Sequence, residues 1–269
     1  YMYEGRAPVA ERRAAALALD RDLLRELLGA EELRELVDPA VLADLELELQ
    51  RLADGRRARD VDEVHDLLRL LGPLSRWEVE ARCDVGDDDD SSARVGAWLD
   101  QLVRERRAIV VSAAGEPRYG AAEDAARLRD ALGVALPPGL PAVFTDPVPS
   151  PLVDLVARFA RTHGPFLTGQ VAARYGVGSD RVVPLLEALE AEGRIVRGEF
   201  RPDGIEREWC DDDVLRQLRR RSLAALRREV EAVEGDALAR FLPAWQNVGS
   251  PARGLDAVVE AIGSLQGLA

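Results

Sequence analysis

The chain has 269 residues, 47% of them apolar, and a net charge of −13, a length that suits two or three small domains. All 36 basic residues are Arg, which excludes from this stretch a G-x-x-x-x-G-K-[ST] phosphate loop and a Schiff-base or serine–lysine mechanism, since each needs a lysine amine. Cys83 and Cys210 alone make no disulfide framework; with no long apolar run and no signal-peptide pattern at Tyr1-Met2-Tyr3-Glu4-Gly5, a soluble, cytoplasmic chain without membrane contact is expected.

Nucleic-acid-binding domains are usually basic, so the overall charge argues against such a partner. Its distribution does not. Residues 1–150 hold 20 Arg against 31 acids, residues 151–228 hold 14 against 12, and residues 229–269 hold 2 against 6. A phosphate-binding face is therefore expected in the middle segment.

Taken in order, Ala10 to Leu28 has leucines near helical spacing, stopped by Gly29, and Asp38-Pro39 opens a second helix to about Leu52. These form a helical lead-in over 1–57, ending at Asp54-Gly55-Arg56-Arg57. The chain then repeats itself. Gly72-Pro73-Leu74, Val79, Ala81, Arg82, Val85 and Gly86 match Gly164-Pro165-Phe166, Val171, Ala173, Arg174, Val177 and Gly178 at an offset of 92. After the insertion Asp87-Asp88-Asp89-Asp90-Ser91 the offset falls to 87, pairing Leu99, Leu102, Glu105, Arg107 and Ile109 with Leu186, Leu189, Glu192, Arg194 and Val196.

Each copy has one grammar. An apolar helix (Val61–Leu71; Pro151–His163) ends at Gly-Pro; a short helix follows (Arg76–Arg82; Thr168–Tyr175, capped by Thr168); then come a Gly turn and a third helix (Ala93–Arg106; Asp180–Glu192). A strand (Ile109–Val111; Arg194–Phe200), a turn and a second strand close each copy, and Pro202-Asp203-Gly204 is a strong turn signal. Helix, helix-turn-helix and β-hairpin make a winged helix, with the third helix as recognition helix and the hairpin as wing. The expected fold is mainly α with small β-hairpin wings, two winged-helix modules in tandem plus flanking helices: 58–145 (with acidic insertion and linker) and 146–210.

Residues 211–252 open on Asp211-Asp212-Asp213 at a helix start. Leu215, Leu218, Leu223, Leu226 and Val230 share one face of that helix, while Arg216, Arg220, Arg221, Arg227 and Arg228 fall within an arc of roughly 140° on the other. Leu255, Val258, Val259 and Ile262 mark an apolar helix in 253–269 that matches the opening of a third copy, so more protein beyond Ala269 is expected.

Three runs carry a resemblance that spans essentially the whole chain. Tyr3-Glu4-Gly5-Arg6-Ala7-Pro8 followed by Ala10-Glu11-Arg12-Arg13-Ala14-Ala15-Ala16, Arg220-Arg221-Ser222-Leu223-Ala224-Ala225-Leu226-Arg227-Arg228-Glu229-Val230, and Phe241-Leu242-Pro243-Ala244-Trp245-Gln246 resemble the bacterial large helicase-related family, Lhr. That resemblance implies an N-terminal ATP-driven motor that moves on single-stranded DNA and unwinds duplexes, RNA:DNA hybrids included, followed by tandem winged helices and a terminal β-barrel. It places this chain at the start of the C-terminal winged-helix array. ATP and Mg²⁺ then belong to the parent motor, with no cofactor or metal expected here. The glycosylase activity of the family is assigned to the barrel, and no Gln-x-Gln pair of the related crosslink glycosylases occurs, so no catalytic residue is expected.

The candidate sites are weighed residue by residue. His65 and His163 are not equivalent in the repeat and lie far from both cysteines, which reads as ordinary surface or helix-end histidines and not zinc ligands. Asp87–Asp90 reads as a solvated loop, since calcium loops interleave their ligands with glycine. Trp77, Trp98, Trp209 and Trp245 could stack bases, but at helix and strand positions they read as core. Arg174, Arg181, Arg194, Arg197, Arg201 and Arg207, on the second helix-turn-helix and wing, suit phosphate contact or ion pairs with Glu187, Glu190, Glu199 and Glu206. The arginine face at Arg216, Arg220, Arg221, Arg227 and Arg228 suits nucleic acid or an acidic neighbouring domain. The expected role is a nucleic-acid-binding accessory segment of a repair helicase that guides single-stranded or junction DNA by backbone contacts, its partners being single-stranded DNA or RNA:DNA hybrid and the remaining domains of the parent helicase. Alternatives are a scaffold for domain packing or self-association, and part of a glycosylase-like module.

Overall fold

The computed structural model describes residue 34 and residues 37–86, 90–202 and 204–229. The expected helix over Ala10–Leu28, the start of a third copy in 253–269, Asp87–Asp89 and Trp245 lie outside the described residues. Those up to Leu226 belong to one compact unit, and Arg227 begins a second.

Helix α1 (Pro39–Leu49) is started by Asp38, whose Oδ1 accepts from the Ala40 N–H at 2.8 Å, with Pro39 in the first turn, where its missing donor costs nothing. The first module follows as α2 (Val61–Leu71), α3 (Arg76–Glu80), α4 (Ser91–Arg104), β1 (Ala108–Ala113) and β2 (Glu116–Ala121). Its α2 is capped by Asp60, which accepts from the Glu63 N–H, and stops at Gly72, whose φ of 88° few other residues adopt. Ser75 and Glu78 close a reciprocal capping box at α3. The second module repeats the order as α6 (Pro151–Thr162), α7 (Thr168–Tyr175), α8 (Ser179–Ala191), β3 (Ile195–Gly198) and β4 (Glu208–Asp211), and α9 (Asp212–Glu229) leaves β4 directly. Between the modules lies a further helix, α5 (Ala125–Leu132).

Both hairpins are antiparallel, with Val110 opposite Tyr119 and Arg197 opposite Trp209. In each module the residue after Gly-Pro adds a bridge to the hairpin, Leu74 to Tyr119 and Phe166 to Trp209. Leu74 and Phe166 are the repeat partners read from the sequence, so the match in sequence is also a match in backbone pairing. The fold is thus mainly α with two small wings, and among the described residues no helix is long and apolar enough to cross a membrane.

Several local expectations change. The stretch taken as a linker contains α5, whose Leu128 and Ala131 are buried in the second module's core. Thr168 does not cap α7: its hydroxyl accepts from the Trp209 indole N–H at 3.0 Å, and the cap is made by Gln170, whose Oε1 accepts from the Leu167 N–H at 2.7 Å. The turn at 201–204 exists, with the Gly204 N–H donating to the Arg201 carbonyl, but it sits inside a loop longer than a tight hairpin allows, because Phe200 turns inward and is fully buried. Trp77 is 65% exposed, whereas Trp209 is in the core.

The wings act as joints. The first module has its own core, including Val64, Leu68, Val79, Leu99 and Leu102. From the same module, however, Ile109, Val111 and Ala113 of β1 join the core of the second, beside Val156, Phe166 and Leu186. The tip of this wing abuts the helix-turn-helix of the second module at Gly176. The second wing repeats the arrangement with α1 and α9: Phe200 and Cys210 pack with Leu42, Leu45, Val214, Leu215 and Leu218 in a third core. Burying Ile109 and Val111 contributes about 1.5–3 kcal/mol each, more than an exposed ion pair, worth ~1 kcal/mol at most. The first wing is therefore held down.

His163, at the end of α6, joins three parts of the chain. Its ring stacks on Phe159 at 3.7 Å. A carbonyl can only accept, so Nδ1 carries the proton and donates to the Phe159 carbonyl at 2.8 Å, which leaves Nε2 to accept from the Gln50 amide. Gln50, just after α1, also accepts from Arg82 of the first module through its side-chain and backbone oxygens. Burial pushes the imidazole down to about 4 from its ordinary value of 6.5, partly opposed by the Phe159 carbonyl and reinforced by Arg174 and Arg82. His65, read as a surface residue, is also buried, with Nε2 at 3.3 Å from the Glu123 carboxylate and Nδ1 near Arg107.

Two measurements test this arrangement. Gly176 and Gly193 both have positive φ, but a Cβ on Gly193 meets open space while one on Gly176 would lie 2.8 Å from the Ala114 Cα. Gly193→Ala should cost about 1 kcal/mol of backbone strain and Gly176→Ala clearly more in urea unfolding; equal costs would detach the wing from its contact. For His163, a folded-state value depressed below 6.5 means that the unfolded chain takes up the proton first. The neutral ring's contribution is intact above pH 6.5 and lost as pH falls towards 4, by about 3 kcal/mol, and His163→Gln should lose less stability than the parent across that window.

Candidate nucleic-acid interface

The arginines of the second helix-turn-helix and wing divide into two groups. Arg174 and Arg201 point inward. Arg174, on α7, ion-pairs with Glu78 of the first module and donates to the Pro73 carbonyl at 2.7 Å. Burial alone would raise the Glu78 carboxyl, but Arg174 and the Ser75 N–H hold it below the usual carboxylate range. Arg201 donates to the Pro165 carbonyl and to Glu46 of α1, fastening the second wing. These two guanidiniums already have carboxylate partners, and neither is Glu187, Glu190, Glu199 or Glu206.

The others face solvent. Arg197 lies over the Trp209 ring, 5.0 Å from its centroid, which fixes the guanidinium plane on the outer side of the wing. Arg207 is beside it, donating to the Arg197 carbonyl at 3.4 Å, and Arg194 stands at the foot of β3 within 3.4 Å of Glu192. Arg181, at the start of α8, reaches the Ala131 carbonyl of α5. It is the lone cation on that helix's exposed surface, which otherwise shows Asp180, Pro184, Glu187 and Glu190. Such a surface repels phosphate and does not suit a recognition helix in a major groove.

On α9 the expected arginine face is also divided. Arg221 makes a two-pronged pair with Glu48 of α1, both distances 2.9 Å, and each partner's ordinary ionisation is reinforced by the other. Arg216 is exposed between Asp212 and Asp213. Arg220 is exposed without a carboxylate partner among the described residues, and Arg227 and Arg228 are exposed in the last turn.

The sequence reading missed a different cluster. An open groove of about 800 Å³ runs between α2, the turn 51–59 and α6. Arg51, Arg56, Arg57, Arg59 and Arg69 line its sides, Arg127 and Arg158 form its floor, and four carboxylates (Glu63, Asp66, Glu123, Asp124) share it. Asp124 is buried and held by both floor arginines. A smaller concavity continues from the same two arginines to Arg161 and Arg194. These cations come from segments about 100 residues apart, and the first of them lie in the most acidic part of the sequence. Only the packing of α2 against α6 brings them together, so segment-by-segment charge counting passes over them.

Comparison with known proteins agrees with this architecture. The family model of the large helicase-related protein, winged-helix domain, matches residues 35–147. Over its whole length the chain is 51% identical to the Lhr helicase/probable uracil glycosylase of Mycolicibacterium smegmatis (strain ATCC 700084 / mc(2)155), of which it covers 17%. It is 38% identical to the Lhr helicase/uracil glycosylase of Escherichia coli (strain K12), of which it covers 18%. The chain thus spans about a sixth of the length of these relatives. Two winged helices built on one repeated pattern, the matching family model and full-length similarity to two Lhr proteins together establish that this chain belongs to the large helicase-related family.

Proposed function

We propose that this chain is a nucleic-acid-binding accessory segment of an ATP-dependent DNA helicase acting in DNA repair, guiding single-stranded DNA or RNA:DNA hybrid through contacts to the backbone. The observation that carries this reading is the outer surface of the second wing. Where the first wing is buried in its neighbour, the second keeps Arg194, Arg197 and Arg207 in solvent and runs directly into α9 with Arg216 and Arg220. Trp209 orients the Arg197 fork, which suits planar, two-pronged phosphate contact. The acidic surface of α8 argues against base reading by that helix and leaves the contacts to the wing and α9, on the backbone. Motor activity, ATP and Mg²⁺ belong in this proposal to the rest of the parent protein, which acts in the cytoplasm at the nucleoid, and base removal belongs to another part of it.

A second reading, a scaffold that packs neighbouring domains or copies of the chain, is favoured by the inward use of Arg174, Arg201 and Arg221. Fluorescence anisotropy with labelled single strands separates the two. The expected result is binding that weakens with salt by about 0.7 log units per log unit for each phosphate neutralised, and that is reduced when Arg197, Arg207, Arg216 and Arg220 are changed to Ala. No binding at low ionic strength, together with self-association in light scattering, would decide for the scaffold.

A further inference from the structure

The geometry points to a second contact: the groove between α2, the 51–59 turn and α6 carries the sugar–phosphate backbone of a single strand and delivers it to the foot of the second wing. This rests on the nucleic-acid reading above and adds a path that neither the helix-turn-helix surface nor α9 provides.

The charge of the groove is the first reason. Its carboxylates are already engaged: Glu63 is 3.8 Å from Arg59, Asp66 is 3.6 Å from Arg69, Glu123 is bonded to His65, and Asp124 to Arg127 and Arg158. Arg51 and Arg57 are left with no carboxylate partner among the described residues, and Arg56 acts on Glu48 only through space; in the neighbouring concavity Asp154 is taken by Arg127, and Arg161 acts on Asp211 only through space. Like charges gathered in a concavity with low-dielectric walls focus a positive potential, which draws anions to it.

Size and lining select the anion. A volume of about 800 Å³ lies near the top of the ~300–1,000 Å³ range for small-ligand sites, and the groove is open, so one phosphate would leave most of it empty. An extended polyanion fits it. Among the described residues no aromatic side chain lines either concavity, so bases are not stacked there and the contact is to the backbone without sequence preference. Guanidinium forks, unlike ammonium groups, pair with phosphate through two parallel bonds. Asp124 keeps the floor in place, because it binds the two arginines at which the two concavities meet.

The direction follows from the ends. Arg56 lies on the turn before the first module, Arg161 on the last turn of α6, and Arg194 is both a lining residue and the first residue before β3. A strand lying along these positions leaves at the wing that exposes Arg197 and Arg207.

Anisotropy with labelled oligothymidylate and the 269-residue chain tests the path. Arg56→Glu and Arg161→Glu change exposed side chains that make no close ion pair and act on Glu48 and Asp211 only through space, so both variants should stay folded, which urea unfolding checks. Each is expected to weaken binding several-fold and to lower the salt slope by about 0.7, and oligothymidylate should slow amide exchange at residues 55–59 and 157–161 of the parent. If both variants bind as the parent does while Arg220→Glu does not, or if exchange slows only on the second wing and α9, the groove is not the path and the nucleic-acid reading stands without it. If the parent binds no oligonucleotide at low ionic strength, both fall. Binding of polyglutamate with the same sensitivity to Arg56 and Arg161, and none of oligothymidylate, would assign the groove to an acidic protein and overturn the proposal.

Discussion

The ion pair between Glu78 and Arg174 is the contact on which the arrangement of the two modules depends. Glu78 uses one carboxylate oxygen to receive the Ser75 N–H and close the capping box of α3, and the other to hold Arg174 of the following module. One buried anion therefore sets a helix start and a module junction at once. Removing either partner would strand a charge out of water, at a cost of roughly 3–5 kcal/mol. The Gly176 turn meets the first wing beside this pair, and the Arg174 head also donates to Pro73, at the Gly-Pro stop of α2. Helix cap, helix stop and wing tip are thus locked together.

This lock explains why much of the fold was legible and much of the site was not. Gly-Pro stops, Gly turns and β-branched strands are local signals, and with the repeat they gave α2 and α7 their C-terminal ends directly. The same patterns could not show which side of a wing is covered. Ile109-Val110-Val111 reads identically whether its buried face belongs to its own module or to the next, because alternation specifies two faces and not what packs on them. Thr168 was misread for a related reason: a threonine at a helix start has a hydroxyl able to cap, but Trp209, about 40 residues on, offers it a donor. Helix α5 was lost in a stretch whose prolines and glycines suggested a connector, although Leu128 and Ala131 lie one turn apart.

Electrostatics were the least legible part. An arginine contributes the same formal charge whether it meets solvent, a cap or a carboxylate far away in sequence. Arg174, Arg201 and Arg221 find Glu78, Glu46 and Glu48, partners that helical spacing could not suggest. Conversely, Arg56 and Arg161 stand in segments with little else to mark them, and the two concavities they line meet at Arg127 and Arg158 only because α2 and α6 pack side by side. A chain of net charge −13 can therefore still concentrate cations on one surface, since its acids are spread over other faces or spent on arginines inside.

Arg82 and Arg174 occupy the same position in the two copies, and both reach towards the segment that comes before them in the chain, Arg82 to Gln50 and Arg174 to Glu78. The contact is heterologous: the back of one module meets the front of the next, with no twofold relation between them. Such a head-to-tail joint has a polarity. The order of the two modules is therefore part of the design: with the second placed first, Arg174 would have neither Glu78 nor the Pro73 carbonyl ahead of it to hold.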